Sequence, residues 1–104
     1  MRRRFLALLA GFTGWGAAAS AQPPQRLKLL IKSAWGSGDP TQASFAFHHA
    51  NAFAESGNEV QIFLLGEAVT LMRTVVANAV VPVGWPPLSE ALAKVVAHKI
   101  PIHV

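Results

Sequence analysis

The chain contains no cysteine, so a thiolate nucleophile, a thiolate metal ligand and a disulfide are all excluded within it. Four histidines hold the remaining options for metal or acid–base work. His48 and His49 are neighbours in a stretch of helical spacing. Adjacent helical positions lie about 100° apart around the axis, so these two imidazoles do not converge on one ion. A metal site needs His98 or His103 to approach them, and nothing in the spacing demands it. There is no supported Ser-His-Asp arrangement, no phosphate loop and no His-Glu-x-x-His motif. Gly36-Ser37-Gly38 stands just before Asp39-Pro40 and could offer free N–H groups to an anion. It lacks the full G-x-G-x-x-G spacing and reads first as a tight turn.

The elements that would hold these residues can be read in order. Leu27 to Ala34 is short, apolar and followed by glycine, which predicts a strand; its Leu29-Leu30-Ile31 centre predicts burial on both faces. Asp39 as N-cap, Pro40 at the first position and Gln42 as a capping-box partner predict a helix start. Ala43, Ala46, Phe47, Ala50 and Ala54 form its apolar stripe, and Gly57 stops it. Glu59 to Leu65 predicts a second strand, broken by Gly66. Glu67 to Val76 predicts a second helix with Ala68, Leu71, Met72 and Val75 on one side. Val80-Val81-Pro82-Val83 is loop or edge, because Pro82 cannot donate to a ladder. Leu88 to Ala97 predicts a third helix with Leu88, Leu92, Val95 and Val96 inward, and Ile100 to Val104 a third strand.

Strand and helix in alternation predict an α/β domain with a parallel sheet and right-handed crossovers. In such sheets ligands sit beyond the carboxyl ends of the strands. The candidate ligand-binding residues are therefore Trp35, Asp39, Gly66, Glu67 and His103. Each has a structural alternative. Asp39 is a helix cap, Glu67 is a first-turn acid suited to a helix dipole, and His103 ends a strand in solvent. Phe45, opposite the alanine stripe, is a candidate subunit contact. No catalytic residue, metal ligand or cofactor is expected.

Composition narrows the class. The 104 residues are 52% hydrophobic and 13% charged, which excludes a polar disordered chain. Nine Lys and Arg face five acids, but three of the nine are Arg2, Arg3 and Arg4. From Gln22 onward the balance is nearly neutral, so the basicity does not predict nucleic-acid binding. Met1 to Arg4 is a positive n-region, Phe5 to Trp15 an apolar h-region, and Ala19-Ser20-Ala21 a small-residue cleavage site. Residues 1–21 thus predict a signal peptide and export to a periplasm, with membrane contact only for export. Arg2-Arg3-Arg4-Phe5-Leu6 resembles a twin-arginine signal, and an ordinary secretory signal fits as well.

The ordered features of residues 22–104 resemble the DsrE/DsrF-like family of sulfur-relay proteins. They are the apolar first strand, Gly38-Asp39-Pro40, and Phe53-Ala54-Glu55-Ser56-Gly57. Asn58 through Leu64, Gly66-Glu67-Ala68-Val69, and Leu88 through Val104 complete them. The resemblance implies a flavodoxin-like three-layer α/β/α domain with strand order 2-1-3, and a homo-oligomer with a sulfur-carrier protein as possible partner. It also implies a persulfide cysteine just past the third strand, which this chain does not contain, and at least one more helix and strand. Three functions follow as expectations: a non-catalytic binding or assembly module, a fragment of a periplasmic sulfurtransferase whose cysteine lies past residue 104, or a periplasmic metal or small-ligand binder. With strand 3 at an edge, Ile100, Ile102 and Val104 are expected to promote self-association.

Overall fold

A computed structural model describes residues 25–104; the predicted signal peptide lies outside them. Strand β1 spans Lys28–Ser33, helix α1 Pro40–Glu55 and strand β2 Glu59–Leu64. A 3-10 helix follows at Gly66–Met72, then α2 at Thr74–Ala79, α3 at Leu88–Ala97 and a short β3 at Ile102–His103. The three strands form one parallel sheet in the order β1-β2-β3.

Helix α1 follows from local chemistry. The Asp39 carboxylate accepts the Gln42 N–H at 3.1 Å, and Pro40 supplies a preset φ where no N–H is needed. Only half of the expected capping box forms, because the Asp39 N–H donates to the Gly36 carbonyl at 3.2 Å. At the other end Asn58 N–H reaches Phe53 O at 3.1 Å and Gly57 N–H reaches Ala54 O at 3.0 Å. That pair of bonds needs a left-handed residue between them, which Gly57 supplies at φ +92°. The alanine stripe is buried as expected at Ala43, Ala46 and Ala50, and lets α1 sit close to the sheet.

The strand order differs from the expected 2-1-3. Strand β2 is central and β1 is an edge. The apolar run in β1 is not buried on both faces: Leu30 is 56% exposed, and Lys28 and Lys32 are exposed beside it. Lysines at alternate positions are typical of edge strands, where they disfavour pairing with a like-charged strand, and they mark β1 as one. Val60, Ile62 and Leu64 of β2 are buried instead.

This order also decides the layers. The steps β1 to β2 and β2 to β3 run in the same direction, and right-handed crossovers then place both connections on one face. An order of 2-1-3 would have reversed direction and put one connection on each face. Burial agrees: one core joins Phe47 and Ala50 of α1, Leu71, Val80, and Leu88 and Val95 of α3 with the inward side of β2. On the opposite face Leu30 and Gln61 are exposed and no helix covers them among the described residues. The third layer of the expected α/β/α arrangement is therefore not present within residues 25–104.

The predicted helix from Glu67 to Val76 is two pieces. Arg73 is extended at φ −88° and ψ 126° and separates the 3-10 helix from α2. Buried Ala68 and Leu71 are three residues apart, which a 3-10 helix puts on one side. The Thr70 hydroxyl donates back to the Glu67 carbonyl at 2.6 Å, and the β-branched Val69, Thr70, Thr74, Val75 and Val76 favour a regular α-helix poorly. Met72 and Val75 are exposed rather than inward. Helix α3 has the predicted bounds, but its inward residues are Leu88, Ala91 and Val95, with Leu92 partly buried and Val96 68% exposed.

Residues 80–87 form a loop, with Val80 and Pro82 buried. β3 is shorter than predicted. Pro101 has no N–H for a ladder, and its carbonyl accepts Ile62 N–H at 2.9 Å. Ile100 is buried and Val104 is 69% exposed.

Candidate functional site

The carboxyl ends of β1 and β2 open onto a cleft of about 780 Å³. The loop Ala34–Asp39 forms one wall, and Glu67, Thr70, Arg73 and Val76 form the other. This is where a parallel sheet leaves a crevice, because the chain turns away from each strand end in turn.

Ser33, the last residue of β1, ties the first wall to the sheet. Its carbonyl accepts Leu65 N–H at 2.9 Å and its hydroxyl accepts Trp35 N–H at 3.4 Å. Gly36 then passes directly against Glu67. A Cβ on Gly36 would lie 2.8 Å from the Glu67 carbonyl oxygen and 2.9 Å from the Glu67 Cβ. Only a residue without a side chain allows the two walls to touch there. Gly66 takes φ +51° to turn the extended chain at Leu65 into the 3-10 helix, and so sets the direction of Glu67.

Of the five candidate residues, Trp35, Asp39 and Glu67 line the cleft. Gly66 does not line it and acts as the turn that aims Glu67. His103 is elsewhere. It lies on β3, its Nε2 is 2.8 Å from Gln61 Oε1, and its ring meets Phe63 edge-on at 6.5 Å between centroids. Asp39 does its capping work from the cleft wall. Trp35 is about half exposed and offers an indole face.

Arg73, Thr70 and Val76 were not anticipated. Arg73 had one available signal: it is the sole Lys or Arg between Lys32 and Lys94. Its side chain forms no ion pair among the described residues, and the same holds for Glu67. The N–H groups of Ser37 and Gly38 also have no acceptor among the described residues. The cleft thus combines a guanidinium, two carboxylates, free amides and an indole. These are groups for holding a polar molecule with an apolar part. They do not include a nucleophile with an adjacent imidazole base.

The histidines point to four different partners. His48 Nε2 donates to Pro86 O at 3.3 Å and the ring lies 5.0 Å from Trp85. His49 stacks on Phe45 at 5.3 Å. His98 Nε2 is 3.0 Å from Glu55 Oε2, where Lys94 also arrives at 3.3 Å. No group of three His, Asp or Glu side chains able to hold a metal occurs among the described residues. The His98 hydrogen bond, then Lys94, hold the Glu55 carboxyl below the ordinary carboxylate value. Phe45 is only partly exposed and packs edge-on to Trp85 at 6.0 Å, so it braces the 80–87 loop.

Neither family profiles, nor curated proteins, nor solved structures show a match to this chain.

Proposed function

We propose that the chain is a non-catalytic binding module, related by sequence pattern to DsrE/DsrF-like sulfur-relay proteins, and that the Trp35–Glu67–Arg73 cleft is its ligand site. The single observation behind this reading is the cleft itself. Two separate pieces of chain, residues 34–39 and 67–76, build it at the carboxyl ends of two parallel strands, and Gly36 against Glu67 locks them together. The absence of cysteine from the chain supports binding over persulfide transfer. The test is fluorescence of the full chain titrated with small carboxylates, amino acids and inorganic oxyanions. A saturable change that disappears in Trp35→Phe and weakens in Arg73→Ala is expected. No response from any compound, or one unaltered by Trp35→Phe, would sink the reading.

The open face of the sheet favours a second reading. Parallel sheets are normally covered on both faces. A longer gene product that supplies the other layer would complete a flavodoxin-like domain, and could also supply the persulfide cysteine. Reading the DNA downstream of codon 104 tests it: an in-frame cysteine soon after Val104 supports a sulfurtransferase, and a clean stop removes it. Export to a periplasm and self-association complete the proposal. Cell fractionation with N-terminal sequencing should find a periplasmic product beginning at Gln22, and a cytoplasmic product beginning at Met1 would refute export. Sedimentation should show concentration-dependent association, whereas a cooperative monomer at micromolar concentration would refute assembly.

A further inference from the structure

Among the described residues, strand β1 leaves a row of backbone groups unused. The carbonyls of Leu27 and Ser33 both accept hydrogen bonds from the β2 segment, from Glu59 N–H at 2.8 Å and Leu65 N–H at 2.9 Å. Strand alternation turns Leu29 and Ile31 the same way. It therefore turns the N–H and C=O groups of Lys28, Leu30 and Lys32 outward, away from β2. Among the described residues β1 pairs with β2 alone, so this six-residue edge is open.

Both sides of that edge are shaped. On the helix side a groove of about 210 Å³ runs between Ile31 and the stacked rings of Phe45 and His49. On the open face a second hollow of about 220 Å³ is lined by Lys28, Leu30, Glu59 and Gln61. Lys28 and Lys32 have no ion pair among the described residues, while Glu59 is held by Arg26 at 3.8 Å. The edge thus presents a positive, an apolar and a positive side chain in alternation, at positions 28, 30 and 32.

We infer that this edge binds an extended segment of a partner polypeptide as an added strand, with acidic residues opposite Lys28 and Lys32 and an apolar residue opposite Leu30. Main-chain bonds supply affinity in such strand addition, and alternate side chains supply selection. A second copy of β1 fits worse. The two-fold register that stacks Leu30 on Leu30 sets Lys28 against Lys32 at both ends, and like charges directly opposite are destabilising. Strand β3 is no alternative, because it has only two residues. The inference does not rest on the cleft or on its ligand.

The test is amide hydrogen exchange on the full chain, with two capped peptides as probes. One carries a Glu-Val-Leu-Val-Glu core and the other a Lys-Val-Leu-Val-Lys core. In the free chain the amides of Lys28, Leu30 and Lys32 should exchange fast and those of Leu29 and Ile31 slowly. The acidic peptide should protect the first three without changing the others. Replacing both lysines by glutamine should weaken its binding about 2- to 30-fold, from two cross-strand charge pairs. Slow exchange at Leu29 and Ile31 in that variant reports that it still folds. Three results would overturn the inference: equal binding of the lysine peptide, no protection at saturating acidic peptide, or edge protection that rises with protein concentration alone.

Discussion

Replacing Gly36 by alanine should break the contact that joins the two walls of the cleft. The new Cβ would sit 2.8 Å from the Glu67 carbonyl oxygen and 2.9 Å from its Cβ. Ordinary contact begins near 3.4 Å, so one wall must move by about half an ångström. Both sides of the contact are firmly held. Gly36 is buried and bonded to Asp39 N–H, and Glu67 O already accepts the Thr70 hydroxyl at 2.6 Å. Forced overpacking of this kind costs about 1–3 kcal/mol. Alanine also reduces the entropy of the unfolded chain, which returns about 0.4–1 kcal/mol where the native φ is compatible.

Gly38→Ala is the matched control, two residues away in the same loop. A Cβ there meets nothing within 4 Å, and neither glycine has a positive φ. The entropic gain is common to both variants, so their difference isolates the clash at about 1–3 kcal/mol. Urea unfolding followed by far-UV circular dichroism measures it. With an m-value of about 1 kcal/mol/M, Gly36→Ala should unfold about 1–3 M below Gly38→Ala. Equal midpoints would show that the loop relaxes away from Glu67 at no cost, and that the cleft walls are not locked.

Lys99 closes α3 at φ 57°, with Ile100 N–H on Val95 O at 3.1 Å, so Lys99→Gly should stabilise by about 0.5–1 kcal/mol in the same unfolding assay. The equivalent Gly57 ends α1 at φ +92°, so Gly57→Ala should instead destabilise by about 1 kcal/mol. Asn51 is buried and its Nδ2 donates to Ala91 O at 3.0 Å, so Asn51→Ala should cost about 1–3 kcal/mol and loosen α1 from α3, read as faster exchange of α3 amides. Glu55 is held below its ordinary pKa of 4.5, first by His98 and then by Lys94. A lowered folded pKa contributes stability that is present above 4.5 and lost as pH falls through the folded value. Unfolding midpoints should therefore drop more steeply in that acid range for the native chain than for Glu55→Gln, and parallel pH profiles would refute the coupling.

The sequence by itself determined what is decided within a few residues. Asp39-Pro40 and Gly57 bound α1 correctly, because a cap and a left-handed stop act on the next three or four peptide groups. Pro87 and the spacing of Leu88, Leu92, Val95 and Val96 located α3 for the same reason, although the structure buries Ala91 and leaves Val96 exposed. The loop after β1 and the turn at Gly66 were legible as places where a parallel sheet exposes its carboxyl ends, which is why Trp35, Asp39 and Glu67 could be singled out. Only the tertiary structure decided which strand is central. Residue 31 meets residue 62, and residue 62 meets residue 102, through ladder bonds that leave no signature in either segment alone. That order set the direction of both crossovers, and so left one face of the sheet and the β1 and β3 edges open among the described residues. It also brought Arg73 to a cleft that begins almost forty residues earlier at Ala34. His103 falls at the same strand level as Phe63 and shares with it the face away from the helices, a side chosen by pairing register and invisible to composition.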